Sequence, residues 1–224
     1  IPSWREAYKH CPPTASQNML IDGTTIMRRL IVKNQKNQIY KQALIDTLVK
    51  LHDLRAENYP KYSVIALNNK GQDLANYVKD DNKLLFNSFA DIIAKNKENT
   101  KAMIHLFALN SAIAYFKEGG ISAEEVIDTY QNSLSYLEKA VAKPPLEEQH
   151  NAKIKTDLES LFISSKVASC DDLIALFTPR YDADPNNAEL ASTIVKTMTL
   201  AEDCMDNDLY VNLYMSSNLN GEAE

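Results

Sequence analysis

The side chains able to do chemistry here include four histidines, three cysteines and several pairs of adjacent acids. Their spacing speaks against most reactions. His10, His52, His105 and His150 fall in no His-Glu-x-x-His pattern and in no Cys/His pairing of zinc-ligand spacing. His10 beside Cys11 reads as a solvated or capping histidine, and His105, among apolar neighbours, as a partly buried helix residue. Two carboxylates can divide acid and base work between them. Yet Glu124-Glu125, Glu147-Glu148 and Asp171-Asp172 each stand at an expected helix start, where the backbone dipole already favours negative charge. The glycine-rich phosphate loop, the dinucleotide fingerprint and the Gly-x-Ser-x-Gly nucleophile turn are all missing. Cys11-Pro12 has no second cysteine nearby, so a redox Cys-x-x-Cys role has no support. No catalytic, cofactor-binding or metal-ligating residue is assigned, and the chain is read as non-enzymatic with no cofactor.

The cysteines have a structural use instead. Residues 170 to 204 read as two helices and one turn. Asp171 and Asp172 open the first helix, and Leu173, Ile174, Leu176 and Phe177 recur at helical spacing. Asp184-Pro185 stops it, because proline lacks an N–H and restricts the residue before it. Asn186 and Glu189 give an Asn-x-x-Glu cap for the second helix, whose stripe is Leu190, Ile194, Val195 and Met198. So short a connection makes the helices antiparallel. Cys170 precedes the first and Cys204 follows the second, so both sulfurs lie at the open end, as a disulfide or as two buried thiols. A bond there would close a loop of about 35 residues, contribute about 3–4 kcal/mol and require an oxidising compartment. With three cysteines, one is left over: Cys11 is free or pairs outside this chain.

Stepping along the chain gives helices throughout. Only 5 glycines and 8 prolines are present, too little turn material for a many-stranded sheet. Trp4, Ala7 and Tyr8 make the face of a first helix that Pro12-Pro13 ends; starting uncapped at Ile1, it reads as the second half of a hairpin. Met19, Leu20, Gly23, Ile26, Met27, Leu30 and Ile31 form the next stripe, Asn34 to Asn37 the turn, and Ile39, Tyr40, Ala43, Leu44, Leu48, Leu51 and Leu54 the return to Tyr59-Pro60. A third hairpin joins 62–80 (Ile65, Leu67, Leu74, Ala75, Val78) to Leu84, Leu85, Phe89, Ile92 and Ile93. Gly71 inside it marks close packing or a kink. In the fourth, Thr100 caps a helix through Met103, Phe107, Ile113 and Phe116, Gly119-Gly120 stops it, and the Ser122–Glu125 capping box opens a helix through Val126, Ile127, Tyr130, Leu134, Leu137 and Val141. Pro144-Pro145 ends that hairpin. Helix 146–167 (Leu158, Leu161, Phe162, Val167) then pairs with 171–183, and 187–203 with 207–217 (Leu209, Tyr210, Leu213, Tyr214). Residues 218–224 read as a polar tail, leaving 1–217 as one domain. Breaks at Pro12, Pro60, near 98, at Pro145 and at Pro185 recur at roughly 40 to 48 residues, a helical-solenoid period.

Trp4, Ala7 and Pro12 have the aromatic, alanine, proline spacing that ends the second helix of a tetratricopeptide repeat. Phe177 and Pro185 repeat it with Arg180 in the small-residue place, and Leu137, Ala140 and Pro145 repeat it with leucine for the aromatic. Met19 and Gly23 are the best trace of the first-helix pattern; the units are longer than the family's usual repeat. The whole chain resembles tetratricopeptide-like proteins of Bacteroidetes, through WREAYKHCP (4–12), YKQALIDTLVKLHDLR (40–55) and SCDDLIALFTPRYDADPNNAEL (169–190) with its later cysteine. The resemblance implies antiparallel helical hairpins stacked as a right-handed superhelix. It also implies an exported, periplasmic or outer-membrane-associated protein, with a signal peptide and a cysteine for Cys11 upstream of Ile1. It transfers architecture and no reaction.

The expected function is therefore a protein–protein interaction scaffold of the bacterial envelope, for a protein or peptide partner. The alternative is a small-ligand or glycan-binding helical domain of an envelope uptake system, in which some of the 11 tyrosines would serve for stacking rather than core packing. A net charge of −6 and a pI near 5.3 exclude nucleic acid as a main partner, and no apolar run is long enough for a transmembrane helix.

Overall fold

The structure is a computed structural model that describes residues 2–140 and 145–221. Among the described residues there are eleven α-helices and no strand, as an all-α reading requires. The chain divides into two compact units, Ile1–Ala108 and Leu109–Glu224.

The first unit holds α1 (Pro2–His10), α2 (Gln17–Lys33), α3 (Gln38–Asn58), α4 (Ser63–Tyr77) and α5 (Asn82–Asn96), with the start of α6 (Ala102–Lys117). Local chemistry sets most ends. The Asn37 side chain accepts from the Tyr40 N–H to open α3, and Asp81 accepts from Leu84 N–H to open α5. Pro60 follows the end of α3 and starts a short 3-10 turn. The most extensive helix contacts in this unit join helices next to one another in sequence, and individual contacts reach the next but one. Trp4 of α1 lies over Gly23 of α2, where a Cβ would run into the indole and come within 2.9 Å of Leu51 of α3. The indole Nε1–H donates to the Met19 carbonyl at 2.8 Å, and the ring stacks on Tyr8. Gly71 of α4 plays the same part towards α6: a Cβ there would stand 2.8 Å from Ile104 Cδ1. The close-packing reading of Gly71 therefore holds.

The second unit holds the rest of α6, α7 (Ala123–Lys139), α8 (Pro145–Ser165), α9 (Cys170–Ala183), α10 (Ala188–Thr199) and α11 (Asp208–Gly221). Gly119 takes φ +75° just past α6, and the Ser122–Glu125 box opens α7 as expected. The fully buried Tyr130 of α7 stacks on Phe162 of α8, with centroids 4.4 Å apart. Here α7 also touches a helix three places on: Lys196 of α10 pairs with Glu138 at 3.1 Å, and Gln131 Nε2 donates to Thr197 Oγ1 at 3.5 Å. Plain stacking of successive hairpins does not produce that contact.

Several expectations need correction. Thr100 does not cap α6: its buried hydroxyl has no hydrogen-bond partner. Instead Asn68 of α4 accepts from the Lys101 N–H at 3.0 Å, so a tertiary neighbour does the capping. The cap of α10 is Asn187, not Asn186; its side chain accepts from Leu190 N–H. The side chain of Glu189, and Val141 and Pro144, lie outside the described residues. Ile39 and Ile65, placed on buried stripes, are 87% and 52% exposed. In α3, Ile45 takes the inward place. In α4, Ala66, Asn68, Lys70 and Asp73 do so, because each polar member has a partner inside. The intimate pairs of the second unit are α7 with α8, α9 with α10 and α10 with α11, so helix 171–183 packs more closely with its successor than with its expected partner. Finally, α11 runs on to Gly221, into the stretch read as tail.

Cys170 and Cys204 form a disulfide, with Cα atoms 5.1 Å apart and both residues buried. Cys170 is the first residue of α9, and Cys204 sits in the 3-10 turn just after α10. Joining the start of one helix to the end of the next shows that the pair runs antiparallel. Cys11 is exposed and free. A sequence separation of 34 makes the bond worth about 4 kcal/mol in the chain-entropy model. Cys170→Ser with Cys204→Ser is therefore expected to lose about that much stability, read by urea unfolding. The reduced wild type should unfold with the variant's midpoint.

Candidate functional site

The second unit carries an open cleft of 520 Å³ between α7 and α9, lined by Ser122, Ala123, Glu124, Ile127, Asp172, Ala175, Leu176, Pro179 and Arg180. Its volume is in the range of ligand-holding clefts, about 300–1,000 Å³. Two capping boxes fix its rim. Ser122 Oγ accepts from Glu125 N–H while the Glu125 carboxylate accepts from Ser122 N–H at 2.9 Å. Ser169 and Asp172 do the same at the start of α9, with Asp172 Oδ2 accepting from Ser169 N–H at 3.0 Å. The hydroxyl and N–H of Ser169 hold the Asp172 carboxyl below its ordinary value, so it is ionised at neutral pH. Arg180 crosses the cleft. Its two terminal nitrogens donate to Asp128 Oδ1 and Glu124 Oε1, each at 2.9 Å.

Pro179 adds a backbone feature. It lies inside α9 and has no N–H, so the α-helical donor to the Ala175 carbonyl is missing. Both residues line the cleft. The cleft thus combines a half-buried apolar side chain, Leu176, next to the buried Ile127, with carboxylates and a carbonyl lacking its helical donor.

A second polar constellation is internal. Asp73 of α4, 4% exposed, accepts from Arg28 of α2 at 2.8 Å on each oxygen. His52 of α3 lies 2.7 Å from Asp73 Oδ2 through Nε2, which therefore carries the donated proton; Nδ1 is buried with no partner. Beside them Lys70 pairs with Asp53 at 2.7 Å. Burial pushes the Asp73 carboxyl up, but the bonds from His52 and Arg28 outweigh it and hold the group below its ordinary value. An Asp–His pair can serve as catalytic base and orienter, but neither residue lines the cleft.

The remaining expected groups are placed as follows. His10 is exposed, 3.4 Å from Glu6, and His150 is exposed. His105 is 1% exposed, and burial pulls its imidazole from 6.5 down to about 4. The three acidic pairs expected at helix starts stand in the first turns of α7, α8 and α9, as read. Among the described residues no three His, Cys, Asp or Glu side chains gather as a metal site needs, and no helix is long and apolar enough to cross a membrane. Sequence reasoning missed Asp73, Arg28 and the cleft. The available signals were two charges, Lys70 and Asp73, on the apolar side of α4, and Arg180 where a small residue was expected. No family model, curated protein or solved structure matches this chain.

Two stability consequences follow. Asp73→Asn should cost about 3 kcal/mol at pH 7, because it leaves Arg28 and His52 without their carboxylate. A depressed carboxylate stabilises above its unfolded value and loses that effect as pH falls through the native one. The gap between wild type and variant in urea unfolding should therefore close on acidification below about pH 4. His105 has the opposite origin. It is neutral in the native chain down to about pH 4, whereas the unfolded chain binds a proton near 6.5. Stability should fall by roughly 3 kcal/mol between those values, and His105→Leu should flatten that slope.

Proposed function

We propose that this chain is a non-enzymatic interaction scaffold of tetratricopeptide type, built of stacked helical hairpins as a right-handed superhelix and working in the bacterial envelope. The observation that carries the reading is the packing of the first unit. The most extensive contacts there run between neighbouring helices, and individual ones reach the next but one, with Gly23 under Trp4 and Gly71 under Ile104 at the close approaches. Units that bury their faces only against neighbours build extended surfaces, and such surfaces are used for binding. The contact of α7 with α10 is a local departure from that regularity.

The open cleft between α7 and α9 is the scaffold's proposed partner site. Its lining includes Arg180, Glu124 and Asp172 and no aromatic ring, a composition that favours a protein or peptide over a stacked sugar. The Cys170–Cys204 bond supports an oxidising location, consistent with export. The test is a photo-crosslinking amino acid at Leu176, with a control at the exposed Thr156 of α8, each expressed in native cells. A discrete protein adduct at Leu176 and none at Thr156 is expected. Equal yields at both positions, or none at Leu176, would count against the scaffold reading.

A further inference from the structure

The charges of the α7–α9 cleft do not balance. Among the lining residues Glu124 and Asp172 stand against Arg180 alone, two carboxylates to one guanidinium, a net charge of −1, and Arg180 is shared with a third acid, Asp128, outside the lining. Arg180 is already held by two of those acids, so it is not offered to an anion. The N-terminus of α7 is likewise occupied by the Glu125 carboxylate. What the cleft presents is acceptors. Asp172 uses Oδ2 towards Ser169 and keeps Oδ1 for another donor. The Ala175 carbonyl has lost its helical donor to Pro179. Between these acceptors lies an apolar floor whose accessible part is the half-buried Leu176, next to the buried Ile127.

We infer that the cleft takes a basic peptide segment of a partner protein, with a lysine or arginine among the acceptors and an adjacent aliphatic side chain on Leu176. The inference rests on the scaffold reading and names the chemistry of its partner. Three features of such a segment match the site. Its ammonium or guanidinium supplies donors to Asp172 and to the Ala175 carbonyl. Its positive charge offsets the excess of acid on the cleft wall. Its aliphatic neighbour removes apolar surface from water at the floor. An acidic segment would meet an uncompensated negative charge, and a neutral one would forgo the charge term.

The experiment uses the whole chain and three capped pentapeptides: Lys-Leu-Lys-Leu-Lys, and the same peptide with Glu or Gln in place of each Lys. Backbone amide shifts locate binding, and titration gives affinity. The basic peptide is expected to move the amides of Ile127 and Leu176 and to bind at least tenfold tighter than either counterpart. Glu124→Gln combined with Pro179→Ala should weaken it about tenfold. Pro179→Ala restores an N–H to the helix and removes a helix-breaking ring, so the fold is not at risk. Equal shifts with the Glu or Gln peptide, or a double variant that binds the basic peptide as well as wild type, would overturn the inference. So would a basic peptide that leaves Ile127 and Leu176 unmoved. If Leu176 nevertheless crosslinks to a protein in cells, the scaffold reading survives and only the basic character of the partner is lost.

Discussion

The Asp73 carboxylate is the constraint on which the first unit depends. A buried ion costs several kcal/mol of solvation unless partners surround it. Here α2 supplies a bidentate guanidinium through Arg28 and α3 an imidazole N–H through His52, while Asp73 itself belongs to α4. Three helices must hold one register for all three bonds to exist. Apolar packing alone tolerates sliding and repacking; this network does not. Asn68, on the same helix, bonds the Asn99 carbonyl and the Lys101 N–H, so α4 also fixes the entry to α6. A helix that carries charges on its inward side is therefore the one that orders its neighbours.

In the second unit α7 has that position, by a different balance. Its inward side is apolar, with Val126, Ile127, Tyr130 and Leu137 all buried. Its polar contacts are at the periphery: Glu124 and Asp128 to Arg180 of α9, Glu138 to Lys196 of α10. These pairs are partly exposed, and such pairs contribute at most about 1 kcal/mol each. They orient α9 and α10 on a core that packing has already stabilised. The cleft exists because α7 and α9 meet through such a bridge at one end, rather than through a continuous apolar seam.

What was legible in the sequence is what local chemistry decides. Ser122 with Glu125, the proline stops and the glycines after α6 act over three or four residues, so the chain states them directly. The Cys170–Cys204 bond was readable because a short turn between two helices fixes which ends meet. Asp73 was not. A charged residue on a helix is ordinarily an outward residue, and its partners lie 45 and 21 positions away. The same limit displaced Ile65 to the surface: once Lys70 and Asp73 have internal partners, the helix turns that side inward and Ile65 comes out. Thr100 looked like a cap by type and position, but Asn68, 33 residues upstream of Lys101, serves in its stead. The cleft is a meeting of residues 56 apart, Glu124 and Arg180, with no local trace beyond an arginine in a small-residue place.

The two unusual features of α9 are best understood together. Pro179 inside the helix costs about 3 kcal/mol relative to a good helix former. The disulfide at Cys170 contributes about 4 kcal/mol by restricting the unfolded chain. The two magnitudes nearly cancel, and they act at different places: the bond fixes the first residue of α9, while the proline weakens its third turn. The proline thus sits in a helix that would gain stability by losing it. Stability alone would favour alanine at 179. The disulfide supplies stability that lets the helix tolerate the proline.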